Sequence, residues 1–384
     1  MSSKSKSSRF LPLVNHLTVD VITSTEQFES IKEDWENLFN SCNNLSPFQT
    51  FTWNYVWWKH YGKGKQLSIF TVRENNRLVG IAPFMVQSRF GVSELEPICG
   101  EHHYNFRLIM DDHRDDIAAA IALKLSGSFQ AGLVHLPYFT AGTNSVDILM
   151  AALNAEDWKE ERWTRNISHY VSEENGFNSY MSRKSRKSRN NRNRERKKLD
   201  ETGLVTLNHI CLYELTENAM ERIADIQKQS WLARRGQESL ISPFYKEVIP
   251  ALAQNNHAEI FLYEQSSEDI AYALNLYCGD ICYCLFIGFM ETKAQFMPGK
   301  VLVMDALQKN LDRGINVFDF LYGEGEYKRY WANRTKYVCR AVNYKGFRGW
   351  LLSWFPHRLH GTFAKYQTLK TILVKMRRMK SRLF

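Results

Sequence analysis

Residues 297–314 read MPGKVLVMDALQKNLDRG. Val301, Met304, Leu307 and Leu311 recur at helical spacing, and Gly314 stands where a left-handed cap would end the run. Pro298 suits a first helical position, because its missing N–H would be unpaired there and its φ is already near helical. Gly299 allows a close approach to the backbone. No Ser, Thr, Asp or Asn precedes the run to cap it. Its opening amides therefore suit an anion supplied from outside. The alternative is an ordinary strand-to-helix turn with water on those amides.

Around this helix the second half of the chain shows an ordered series. Helical patterns at ENAMERIADIQKQSWLARR and PFYKEVIPALAQ precede strands at AEIFLYEQ, IAYALNLYCGD and DICYCLFIGF. The quoted helix follows, then the strand NVFDFLYG and a short helix from Glu326. The same order stands about 190 residues earlier, an internal repeat. There Ser24 or Thr25 caps a helix with Phe28, Ile31, Trp35 and Leu38 on one face, and an aromatic helix opens near Thr50. QLSIFTVRE and RLVGIAPFMVQSR meet at Glu74-Asn75-Asn76, a hairpin signal, and VSELEPICG is a third strand. A helix at RDDIAAAIALKL and a strand at AGLVHLPYF complete the copy. The expected fold class is α+β: two tandem units, each a mixed, mostly antiparallel sheet flanked by helices, with a basic helical tail.

The chain has 384 residues, 44% apolar and 13% aromatic, ample for two cores. Its seven cysteines are odd in number and lack zinc-site spacing, so they are expected buried and reduced, in a cytoplasmic protein. The start MSSKSKSSRFLPLV has too short an apolar stretch for a secretory signal, and no window is long enough to span a bilayer. Net charge is +9 but uneven: residues 183–198 carry ten Lys/Arg and one acid, and residues 358–382 eight Lys/Arg and no acid. Subtracting (9 − 9 − 8) leaves about −8 for the remainder, a mildly acidic body with two basic segments.

The stretches PFQTFTWNYVWW (47–58), LVGIAPF (78–84), PGKVL (298–302) and FDFLYGEGEYKRYW (318–331), in this order, resemble the CelD/BcsL-type GNAT acetyltransferases, tandem-GNAT relatives of the Fem aminoacyl transferases. The resemblance spans about residues 25–345, and together with composition and charge it suggests a division of the chain. Residues 1–18 would be a disordered lead, 19–180 a degenerate GNAT-like domain, and 181–202 a basic connector helix. Residues 203–347 would be the GNAT domain with the acyl-CoA site, and 348–384 a basic amphipathic tail.

The resemblance further implies acyl-CoA as co-substrate. Its pyrophosphate would lie on the loop Met297, Pro298, Gly299, Lys300 and Val301, and Phe286 and Gly288 would also bind the co-substrate. A main-chain N–H within Leu285–Phe289 would form the oxyanion hole. The loop departs from the common GNAT pattern in holding a single glycine. Asp319, Glu324 and Glu326 are candidate bases, because an amine acceptor arrives protonated. Asp319 could equally anchor a neighbouring loop. Tyr327 is the candidate acid for the leaving thiol, with Tyr330 next; the alternative is that either ring packs on Trp331. His103, Tyr104, Glu324 and Lys328 are expected to line the acceptor site. No metal is expected, because His102, His103, Asp111, Asp112 and His113 share no ligand spacing.

Phe48, Phe51, Trp53, Trp57 and Trp58 read as core, with a sugar-stacking platform as the alternative. The run 183–198 interleaves its charges with Ser and Asn only, so a solvated connector or a clamp on an anionic substrate is expected before nucleic acid. The tail pairs its charge with Trp350, Leu351, Leu352, Trp354 and Phe355, which suits either an anionic membrane surface or docking on the core. The expected activity is acyl transfer to an amine or hydroxyl of a sugar-linked or cell-envelope precursor, at the inner membrane face. The alternatives are a Fem-like, tRNA-dependent aminoacyl transferase and a non-catalytic binding protein.

Overall fold

The computed structural model describes residues 14–43, 45–89, 92–102, 104–111, 113–128, 132–211, 213–230, 240, 242–323, 325–347 and 349–350. The expectations for His103, Asp112, Glu324 and the tail beyond residue 350 lie outside them. The first half runs β1 (Leu17–Ile22), α1 (Thr25–Ser30), α2 (Lys32–Ser41), α3 (Phe51–Tyr61), β2 (Gln66–Glu74), β3 (Arg77–Arg89), β4 (Val92–Pro97), β5 (Ile109–Met110), α4 (Asp115–Ser128), β6 (Leu133–Thr140), α5 (Asn144–Ala155) and β7 (Lys159–Ser172). Then follow α6 (Gly176–Ser182), α7 (Arg186–Asp200), β8 (Val205–Ile210), α8 (Tyr213–Lys228), α9 (Pro243–Ala253), β9 (Ala258–Gln265), β10 (Glu268–Cys278) and β11 (Ile281–Phe289). Last come α10 (Pro298–Asp312), β12 (Val317–Tyr322), α11 (Glu326–Trp331) and β13 (Arg334–Tyr344).

Local signals explain most of these boundaries. Ser24 and Gln27 form a reciprocal capping box at α1, and Thr50 accepts from the Trp53 amide to start α3. Ile31 leaves helical geometry (φ −95°, ψ 8°), so the single helix expected over this stretch is two. Asn75 and Asn76 both take positive φ (49° and 66°), as a two-residue hairpin between β2 and β3 requires.

All the strands join one sheet in the order β1-β2-β3-β4-β6-β13-β7-β12-β11-β10-β9-β8, with β5 paired to β3. The fold is α+β, as expected. Two strands that carry no clear sequence signal make its middle: β13 inserts between β6 and β7, and β7 pairs antiparallel with β12. The last strand of the described residues thus completes the sheet of the first half, while the last strand of the first half extends the sheet of the second.

Phe48, Phe51, Trp53 and Trp57 are at most 5% exposed and pack in one cluster with Phe28 and Trp35, which settles this aromatic stretch as core. Trp58 is partly exposed and donates to Thr25 Oγ1. Among the described residues, no helix is long and apolar enough to cross a membrane. The cysteines are free, and burial pushes the Cys284 thiol up to about 12. Cys42, Cys211 and Cys278 are only partly buried, so the expectation of uniform burial fails for these three.

One ion-pair cluster of the second half sets an acid limit on stability. Glu259 on β9 accepts from His209 at 2.9 Å and from both terminal nitrogens of Arg313 at 2.8 and 2.7 Å. Burial alone would raise its pKa, but these bonds outweigh it and bring the carboxyl from 4.5 down to about 2. A depressed carboxylate stabilises the fold above its unfolded value and loses that contribution as pH falls through its folded value. Stability should therefore drop by up to about 3 kcal/mol between pH 4.5 and pH 2 through this group. Urea midpoints measured across that range should be flatter in Glu259→Gln; an unchanged slope would show that the pair contributes nothing.

Candidate functional site

The site is built where β11 and β12 part. These parallel strands pair only from Ile281–Val317 to Tyr283–Asp319, although β11 continues to Phe289 and β12 to Tyr322. At the same point the β10–β11 register shifts: Leu274 faces Phe286 and Asn275 faces Cys284, leaving Leu285 without a cross-strand partner. Such a bulge is where a main-chain N–H leaves its ladder.

Asp319 lies at this parting, and its oxygens are taken. Oδ1 accepts from Ser168 Oγ and from the Leu321 amide, each at 2.8 Å, and Oδ2 pairs with Lys336 Nζ at 2.5 Å. The carboxylate is 1% exposed. These bonds hold a break in the β12–β7 register between Asp319 and Tyr322, where Leu321 takes a positive φ of 56°. This is the anchoring role that the sequence left open, and no base function is visible in it.

Beyond the strand, α11 carries three expected site residues. Glu326 points to solvent in its first turn. Tyr327 packs edge-on against Phe320, with ring centroids 6.1 Å apart, and is partly exposed. Burial, and to a lesser degree the neighbouring Cys284, raises its phenol above the ordinary value of 10, so it stays protonated. Lys328 folds back to donate to the carbonyls of Tyr322 at 3.0 Å and Leu321 at 3.3 Å, and burial lowers its pKa. Three carbonyls at the end of α11, those of Tyr330, Trp331 and Ala332, accept from Lys184 Nζ, which fixes the helix from below.

The α10 terminus is less open than its sequence suggests. Met297 takes the left-handed conformation (φ 53°), and no side chain caps the helix. The Lys300 and Val301 amides return to the Met297 carbonyl, and Pro298 has none. Gly299 is buried, and a Cβ there would lie 2.8 Å from the Phe289 ring, so glycine is what lets this strand end meet the helix. Lys300 does not reach outward: its Nζ pairs with the buried Glu195 at 2.5 Å and lies over the Tyr330 ring. Gly288 serves packing too, since a Cβ would fall 2.3 Å from Tyr272. Phe286 packs edge-on to Tyr245 at 5.3 Å.

The basic run forms α7, capped by Ser185, and lies along α10. Its inner face is spent on structure. Arg192 bonds Met304 and Gln308, Arg196 bonds Asp305 and Tyr263, and Arg189 binds the carbonyls before the helix. Arg186, Lys187, Arg194, Lys197 and Lys198 face solvent. At the seam where strands of the first half meet β12, Tyr104 packs at a tilt between Phe48 (5.0 Å) and Tyr322 (5.4 Å), Tyr322 lies parallel to Tyr138 at 4.6 Å, and Arg165 covers Tyr138 at 4.3 Å. Of this row only Tyr104 was expected. Tyr322 stands within FDFLYG and could have been found there, whereas Tyr138 and Arg165 face it only through the unforeseen strand pairing.

Residues 186–329 match a family model described as an acetyltransferase (GNAT) domain. No curated protein matches the sequence. Solved structures are similar in fold. FemX superposes with a TM-score of 0.62 at 11% identity, covering 88% of this chain and 99% of FemX. The C-terminal domain of a putative lysylphosphatidylglycerol synthetase from Agrobacterium fabrum gives 0.56 at 8%, covering 88% and 97%. L-PGS from Bacillus licheniformis gives 0.52 at 9%, covering 84% and 93%. The chain thus has a GNAT-like fold, with a GNAT-type domain in its second half.

Proposed function

We propose that the protein is an acyltransferase that takes its acyl group from acyl-CoA and delivers it to an amine or hydroxyl of a sugar-linked or cell-envelope precursor. The observation that carries this reading is the parting of β11 from β12, with the Leu285 bulge on one side and Tyr327 on the other. A thioester carbonyl placed there would meet a main-chain donor as its oxygen gains charge. As the acceptor's new bond forms and the C–S bond breaks, the Tyr327 phenol would give its proton to the sulfur, and the proton released by the acceptor's nitrogen or oxygen would pass through water to restore the phenol. A covalent route through Cys284 is disfavoured, because a thiol with a pKa of about 12 holds almost no thiolate at neutral pH. The acceptor would approach from the seam holding Tyr104, Tyr322 and Tyr138.

A second reading, aminoacyl transfer from a charged tRNA, draws support from α7. Lys300 is held by Glu195 instead of facing a pyrophosphate, and the outward cations of α7 suit a phosphodiester chain. Calorimetric titration of the full chain with acetyl-CoA, CoA and charged tRNA separates the readings. Saturable CoA binding is the expected result, weakened at least about tenfold in Gly299→Glu, where the added side chain meets the Phe289 ring and its carboxylate repels phosphate at the helix terminus. Binding of tRNA alone would move the assignment to the second reading. Binding of neither would leave a non-catalytic role for the cleft.

A further inference from the structure

We propose that Glu94, Glu96 and His135 form a binding site for one divalent first-row transition-metal ion in the first half of the molecule. Glu94 and Glu96 sit two residues apart on β4 and so share a face, and β6 runs parallel beside them, with Glu94 level with Leu133 and Leu95 with Val134. Val134 and Leu136 enter the core beneath α4 and α5, so His135 between them faces the opposite side of the sheet. There the imidazole Nδ1 lies 3.1 Å from Glu94 Oε1 and 3.7 Å from Glu96 Oε2. One donor atom from each residue falls within 4.8 Å of the others. Bonds of about 2.1 Å around a tetrahedral ion place ligand atoms about 3.4 Å apart, so the set is already near coordinating spacing.

Three further observations bear on the site. The three residues are 5%, 8% and 8% exposed, so their carboxylates stand in a water-poor setting that calls for compensating positive charge. Gln87 donates to Glu96 Oε1, orienting that carboxylate as an outer partner would. Arg340 Nε donates to His135 Nε2 at 2.9 Å. A guanidinium cannot accept, so Nε2 holds the lone pair, and Nδ1 carries the ring proton toward Glu94. A metal ion on Nδ1 reverses this. The ring proton moves to Nε2, no proton is lost from the neutral imidazole, and Arg340 turns away. Arg340 is thus a competitor of the ion.

This arrangement gives variants that move in opposite directions. The full chain, stripped with a chelator and dialysed, is titrated calorimetrically with Zn²⁺ and separately with Mn²⁺. One equivalent is expected to bind. Glu94→Gln and His135→Ala should weaken it about 10- to 100-fold, while Arg340→Gln, which removes a charge and can accept from Nε2–H, should tighten it. Should His135→Ala fail to fold, Glu94→Gln carries the test, since the amide keeps the shape of the acid. Absence of uptake of either ion by the wild type overturns the proposal, and so does uptake that Glu94→Gln leaves unchanged. Weaker binding in Arg340→Gln would remove the competitor role and with it this account of the site.

Discussion

Replacing Asp319 with alanine is expected to destabilise the protein by about 3 kcal/mol. The substitution leaves Lys336 beside an emptied, apolar position and strips the Leu321 amide and Ser168 hydroxyl of their acceptor. Losing one partner of a buried pair costs about 3–5 kcal/mol, but Lys336 is 29% exposed and recovers part of that from water. The midpoint of urea unfolding should fall accordingly, while turnover per folded molecule should change far less than in Tyr327 variants. Asp319→Asn should lie between, because its carbonyl still accepts from Leu321 while its amide faces Lys336 unfavourably. If stability were kept and turnover lost, Asp319 would be a base and the anchoring role would be wrong.

Tyr327→Phe tests the chemistry where Asp319 tests the frame. Removing a positioned acid lowers turnover about 10²- to 10⁴-fold, so kcat should fall by that order with the donor KM little changed. The phenol is needed protonated, and its burial lifts its pKa above 10. Turnover should therefore show no falling limb near pH 10. Unchanged kcat in the variant would remove Tyr327 from the reaction, whereas a descending limb at the ordinary phenol value that disappears in Tyr327→Phe would keep the acid and overturn only its raised pKa.

The elements that place Tyr327 could be read from the sequence because each carries its own signal. Continuous apolar runs mark β9 to β11, the Asn-Asn turn marks the first hairpin, and the Pro-Gly step marks α10. β7 and β13 could not be read in the same way. Lys159–Ser172 and Arg334–Tyr344 alternate weakly, with charged residues such as Glu161, Arg162, Arg334 and Lys336 at exposed or partly exposed positions. Such strands look like surface loops until their partners are known. The fate of the site residues followed from the same cause. Asp319 was found by its place on β12, but the partners that decide its role, Ser168 and Lys336, lie on the two unread strands. Lys300 was expected to face a phosphate because Glu195 is a lone acid within a basic run, and nothing local shows that it turns inward.

The place of β13 also governs how the molecule can be made. Leu133 pairs with Tyr344, so 211 residues (344 − 133) separate two neighbouring strands. During synthesis the earlier half leaves the ribosome with the edge of β6 uncovered, and stays so until nearly all of the described chain has emerged. Closing so long a loop is slow compared with forming hairpins. A ribosome stalled before residue 334 would hold a nascent chain with an open sheet edge, the kind of surface on which chaperones act and aggregates grow.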